Sequence, residues 1–284
     1  TYHSAGVSEH IVYVTLAEKL EYLDKMYLTL LHLATGNPGA TTKAEAVEKT
    51  WSWFANPTGV DDLKTWDNRA LSYYGSGINE CYVYVDDFLK AQNGSAGCGT
   101  FANLFIETLW VNGISSRCVN VSPPSENGEG ILINNWEPPL DENPEAPIEE
   151  PWYIWEFEFT GEMSMYPQPE ENESGYLEYG DLESSDGIAG QNVVTPIEKA
   201  FTKHFIVEIS DPDVTANLSY YDPSYGKTYV NEEKFDIDLV LGYFFSDDED
   251  RLWVRPREEG PQEKNILFKS SRDQYPLCGT DPLL

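Results

Sequence analysis

From Thr15 to Thr35 the chain reads TLAEKLEYLDKMYLTLLHLAT, with Leu16, Leu20, Leu23, Tyr27 and Leu30 at helical spacing ahead of Gly36 and Pro38. That periodicity predicts one amphipathic helix over the whole run. Thr42 and Glu45 have the offset of a capping box, and Val47, Trp51 and Phe54 extend an apolar stripe for a second helix ending before Pro57. Ile78 to Ala91 reads two ways: Val83, Tyr84 and Val85 favour a strand, while Tyr82, Val85, Phe88 and Leu89 share one helical face. Phe101, Leu104, Phe105 and Leu109 predict a helix from near Cys98 to Gly113, and Arg117 to Val121 follows as a strand.

Between Pro123 and Pro151 the chain turns Pro-rich, Asn-rich and acidic, as a long loop would. Trp152 to Phe159 alternates like a core strand, and a second polar stretch runs to about Gly190. Order resumes with HFIVEI from His204, a turn over Asp211 to Asn217, and LSYYDPSYG from Leu218. On HFIVEI, His204, Ile206 and Glu208 face one way, so the histidine lies on a face that is not purely apolar. A hairpin joining the two segments would bring Asp222 to the imidazole. No repeat at solenoid periods is present.

Composition adds constraints. The 284 residues hold 49 acidic and 18 basic side chains, a net charge of −31, with 40% hydrophobic and 13% aromatic content, enough apolar material for a core. So negative a surface repels nucleic acid and anionic membranes and favours a cationic partner. No apolar run reaches the ~18 residues of a membrane span. Cysteines at 81, 98, 118 and 278 lack the close pairs of a zinc site, and histidines stand only at 3, 10, 32 and 204, so neither a metal nor another cofactor is expected. The acidic SDDEDR run from Ser246 and the DPDVTAN turn miss the spacing of a calcium loop and read as solvated. Cys81 and Cys278 form a candidate disulfide. The opening at Thr1, without a methionine or an apolar leader, reads as a processed or trimmed product. A secreted or cell-envelope setting is favoured over the cytoplasm.

Chemistry concentrates at Cys98. A glycine-flanked turn enters an apolar helix there, so first-turn amides and the helix dipole would favour a thiolate, and the Cys98 amide would face an oxyanion. Set against this is a small buried cysteine that merely packs a helix start. His204 is the one histidine after Cys98, and Asp222 follows it by eighteen residues, the residue types of a nucleophile, base and orienting acid.

Together GCGTFANLFIETLWVNGISSRCVNV, HFIVEI and YYDPSYG resemble the transglutaminase-like superfamily of papain-related cysteine enzymes in its nucleophile helix, histidine strand and Asp-Pro strand. The resemblance implies an α+β fold whose nucleophile helix packs on an antiparallel sheet behind N-terminal helices. It implies Cys98 as nucleophile, His204 as general base and acid, and Asp222 as the residue holding the imidazole tautomer. The implied activity is acyl transfer on an amide of a protein or peptide through a thioester, with hydrolysis favoured. Protein cross-linking, or a degenerate binding module without turnover, are the alternatives. One domain over 1–284 is expected, with a helical part over about 10–92 and a core over 93–122 and 197–245. An insertion over 123–196 and an extension over 246–284 complete it.

Overall fold

The computed structural model describes residues 11–55, 63–73, 84–92, 94–123, 130–133, 177–179, 190–193, 200–201, 203–214, 220–246, 252–256 and 267–270. In chain order the first elements are helices α1 (Leu28–Thr35) and α2 (Lys43–Trp51), strand β1 (Leu71–Tyr73), helix α3 (Val85–Lys90), strand β2 (Gly94–Ala96) and helix α4 (Cys98–Val111). Strands β3 (Ser116–Ser122), β4 (Gly130–Ile133), β5 (Leu177–Tyr179), β6 (Ala200–Phe201), β7 (His204–Ile209), β8 (Tyr220–Asp222) and β9 (Lys227–Tyr229) follow. Helix α5 (Glu232–Leu239) and strands β10 (Val240–Ser246), β11 (Leu252–Pro256) and β12 (Leu267–Ser270) close the order. The architecture is mixed helix and sheet, as expected.

One antiparallel sheet has the order β12-β3-β7-β8-β9, and α4 packs against its β7 and β3 strands. A second sheet runs β5-β11-β10-β4-β6, and β1 pairs with β2 in parallel. Every residue of α4 except Gly99 and Glu107 is buried. A helix apolar on nearly all sides belongs at the centre of a core, not on its edge. Phe105 shows why the core holds. Its ring lies 5.3 Å from Trp51, 5.1 Å from Phe54 and 5.6 Å from Tyr221, centroid to centroid, tying α2, α4 and β8 together.

The single helix predicted from Thr15 to Thr35 is corrected: only Leu28–Thr35 is helical. Tertiary hydrogen bonds override the periodicity upstream. The Leu16 amide donates to Asn112 Oδ1 at 3.0 Å and the Leu20 amide to the Trp110 carbonyl at 3.0 Å, so residues 16–23 form a strap across the end of α4. Leu23 is buried in that strap. Gly113, at φ +67, makes room for it, because a Cβ there would stand 2.6 Å from the Glu18 carbonyl oxygen. The capping box is present as predicted, with Thr42 accepting from the Glu45 amide and the Glu45 side chain accepting from the Thr42 amide. The doubly readable segment resolves to a helix over Val85–Lys90, while 78–83 lie outside the described residues.

The stretch read as an insertion supplies β4 and β5 to the second sheet, and the stretch read as an extension supplies β12, which pairs with β3 in the α4-packed sheet. The expected strand at Trp152 to Phe159 lies outside the described residues, as do Cys81 and Cys278. Cys118 is disulfide-bonded, a role the spacing did not reveal. Among the described residues no helix is long and apolar enough to cross a membrane.

Candidate active site

Helix α4 begins at Cys98 because Gly97 adopts an extended N-cap conformation (φ −86, ψ −179) and its carbonyl accepts the amides of Thr100 and Phe101. No acidic side chain occupies the first turn. Helix geometry leaves the leading amides, those of Cys98 and Gly99, without intrahelical acceptors, so they point at whatever anion or oxyanion lies beyond the helix start. Cys98 is a free thiol at 9% exposure.

His204 opens β7, and the antiparallel pairing of β7 with β8 (Val207 opposite Tyr221, Glu208 opposite Tyr220) carries Asp222 to it. His204 Nε2 and Asp222 Oδ2 are 2.7 Å apart, and both side chains are wholly buried. The hairpin expected from sequence is therefore present. The face that carries His204 and Ile206, both buried, runs on to the half-buried Glu208, so it is not purely core, as expected, although Phe205 and Val207 on the other face are buried as well. Glu208, further along, is half-buried and pairs across the ladder with Arg117 at 2.8 Å.

Electrostatics link the three residues. Burial pushes the His204 imidazole downward from its ordinary 6.5, but the charge and hydrogen bond of Asp222, then those of Cys98, more than offset it, raising the group to about 10. The imidazole therefore holds its proton at neutral pH, as a buried cation flanked by a carboxylate and a sulfur. Nε2 is the ring nitrogen on Asp222, and Cys98 acts on the imidazole as a second, weaker influence. A protonated imidazole in this position can release a proton to a leaving group.

Three further residues frame the site, none of them singled out in the sequence. The Ser224 amide donates to Asp222 Oδ1 at 3.1 Å, an Asx turn that the Asp-Pro-Ser spacing is suited to make. The Tyr225 ring stands 5.7 Å from the imidazole and 5.0 Å from Tyr73, which in turn meets Phe101 of α4 at 5.9 Å. Gln191, fully buried, hydrogen-bonds into the turn that follows Asp222. Only YYDPSYG carried a signal for the first two; Gln191 sits in a polar stretch without periodicity.

Asp211, in the turn read as solvated, is instead buried, held by Lys43 at 2.8 Å and by the Ser115 amide at 2.9 Å. Those contacts hold its carboxyl below the ordinary range against the opposing effect of burial. Among the described residues no group of three or more His, Cys, Asp or Glu side chains is placed to hold a metal ion. Comparison with protein-family models, with curated proteins and with solved structures finds no match.

Proposed function

We propose that this chain is a cysteine-dependent acyl-transfer enzyme with a transglutaminase-like, papain-related core, acting on an amide of a protein or peptide. The observation that carries the reading is the convergence of Cys98, at a helix start, on the buried His204–Asp222 pair.

In the proposed reaction the Cys98 sulfur attacks the amide carbonyl carbon and the Cys98 amide donates to the oxyanion. The carbon–nitrogen bond breaks as His204 gives its proton to the departing amine, leaving a thioester. Water, deprotonated by His204, then attacks the thioester, releasing a carboxylic acid and returning the thiol. Asp222 keeps the imidazole in the productive tautomer and supports its positive charge. The net charge of −31 favours cationic substrates.

A second reading, a binding module that keeps the fold without turnover, draws on one observation: His204 and Asp222 are wholly buried and Cys98 nearly so. The two readings part in one experiment. Amine release from a tryptic peptide mixture is compared between the wild type and Cys98→Ala, alongside iodoacetamide labelling of Cys98. The enzyme reading expects release by the wild type alone. Equal release by both proteins, or none from a wild type whose Cys98 also resists alkylation, sinks it.

A further inference from the structure

Residues 190–193 lie within the stretch read from sequence as an insertion, yet they are wedged into the core beside the candidate site. Gly190 sits against Tyr73 so closely that a Cβ would stand 2.4 Å from the ring. Gln191 is 0% exposed and spends both protons of its side-chain amide, one on the Phe54 carbonyl at 2.6 Å and one on the Pro223 carbonyl at 3.0 Å. Its backbone amide donates to the Ser224 carbonyl at 2.9 Å, and its carbonyl accepts from the Tyr73 amide at 2.9 Å. Asn192, at φ 54, donates to the carbonyls of Leu63 and Leu71. One residue thus ties the end of α2 and strand β1 to the two positions that follow Asp222.

Those two positions matter because Asp222 is the last residue of β8. The described pairing with β7 stops at Tyr221, and on the other side Asp222 meets Lys227 of β9. The β7–β8 pairing thus brings Asp222 near His204 but ends one residue short of Asp222, and the turn that follows completes the placement of the carboxylate. We propose that Gln191 is a positioning residue for this site, holding the Pro223–Ser224 backbone so that the Asp222 carboxylate stays on His204 Nε2. The proposal rests on Cys98, His204 and Asp222 acting together as described above. A side chain without donors leaves two carbonyl oxygens unserved in the core, and the turn must move to find others. Hydrogen bonds weaken steeply with displacement, so a small shift of the turn uncouples carboxylate from imidazole.

The test reads the imidazole directly. The groups facing it are Asp222 from β8, Cys98 from α4 and the Tyr225 ring from the turn, while neighbouring Lys203 lies over Phe205. His204 is titrated by NMR and the pH profile of Cys98 alkylation by iodoacetamide is recorded for the wild type, Gln191→Leu, Gln191→Asn and Asn112→Ala. Asn112 is the matched control, since its buried side chain also makes two hydrogen bonds, to Leu16 and Ala34, without touching the Asp222 turn. Gln191→Leu is expected to lower the imidazole midpoint by about one unit or more and to slow alkylation near neutrality about tenfold. Gln191→Asn, with its donors on a shorter stem, should fall between, and Asn112→Ala should keep the wild-type midpoint despite its lost bonds. A folded Gln191→Leu protein with the wild-type midpoint overturns the proposal; should that protein not fold, an unmoved midpoint in Gln191→Asn does so. A wild type whose imidazole is not raised would instead overturn the functional reading of Cys98 and His204, so the two failures are distinct.

Discussion

Asp222→Asn tests the buried pair with a change of one atom. The Asx-turn bond from the Ser224 amide to Oδ1 can survive, so the shape of the turn is kept while the charge 2.7 Å from His204 Nε2 is lost. Removing one partner of a buried ion pair costs about 3–5 kcal/mol, a large share of the ~5–15 kcal/mol that keeps a domain folded. The pH dependence separates this loss from a generic packing defect. In the folded wild type the imidazole is raised from 6.5 to about 10, so its contribution is fully present below about 6.5 and is lost as pH rises through about 10. In the variant burial is no longer opposed by the carboxylate, and the imidazole gives up its proton at lower pH. The stability gap between the two proteins should therefore narrow with rising pH, by at most roughly 1.4 kcal/mol per pH unit across that window. Urea unfolding of both proteins at about pH 6 and about pH 9 measures the gap before the window and well inside it. A gap that stays constant, or widens toward alkaline pH, would refute the claim that Asp222 holds a protonated imidazole.

Other consequences are simpler to measure. Cys98 should be the thiol alkylated fastest in the native protein, Cys118 being held in a disulfide; peptide mapping after brief iodoacetamide treatment identifies the labelled site. Cys98→Ala should abolish turnover while its thermal transition stays near that of the wild type. Thr42→Ala removes the acceptor of the α2 capping box and should cost about 1 kcal/mol in urea unfolding. Gly113→Ala forces a Cβ to 2.6 Å from the Glu18 carbonyl at a left-handed φ, so a loss of at least ~1 kcal/mol is expected, with faster tryptic cleavage at Lys19 as the strap lifts.

Local chemistry marked the elements whose information is local. The Thr42–Glu45 box, the apolar run from Cys98 ended by Gly113, and the strand HFIVEI appear where the sequence placed them, because capping, glycine at positive φ and the strand preference of a β-branched, aromatic run act over a few residues. Residue types and order alone nominated Cys98, His204 and Asp222, since few side chains can form a nucleophile, a base and its orienting acid. Tertiary structure decided the rest. The apolar spacing from Leu16 to Leu23 is compatible with a helix, yet Asn112 and Trp110 capture its amides and hold an irregular strap. The strand at Leu267–Ser270 and the staple at Gln191 have no periodicity to announce them, because each is specified by backbone partners far away in the chain: β3 for the first, and Phe54, Tyr73 and the Asp222 turn for the second. His204 was legible as a residue but not as a buried cation, since its charge state depends on the depth of the core and on two groups that only folding brings to it.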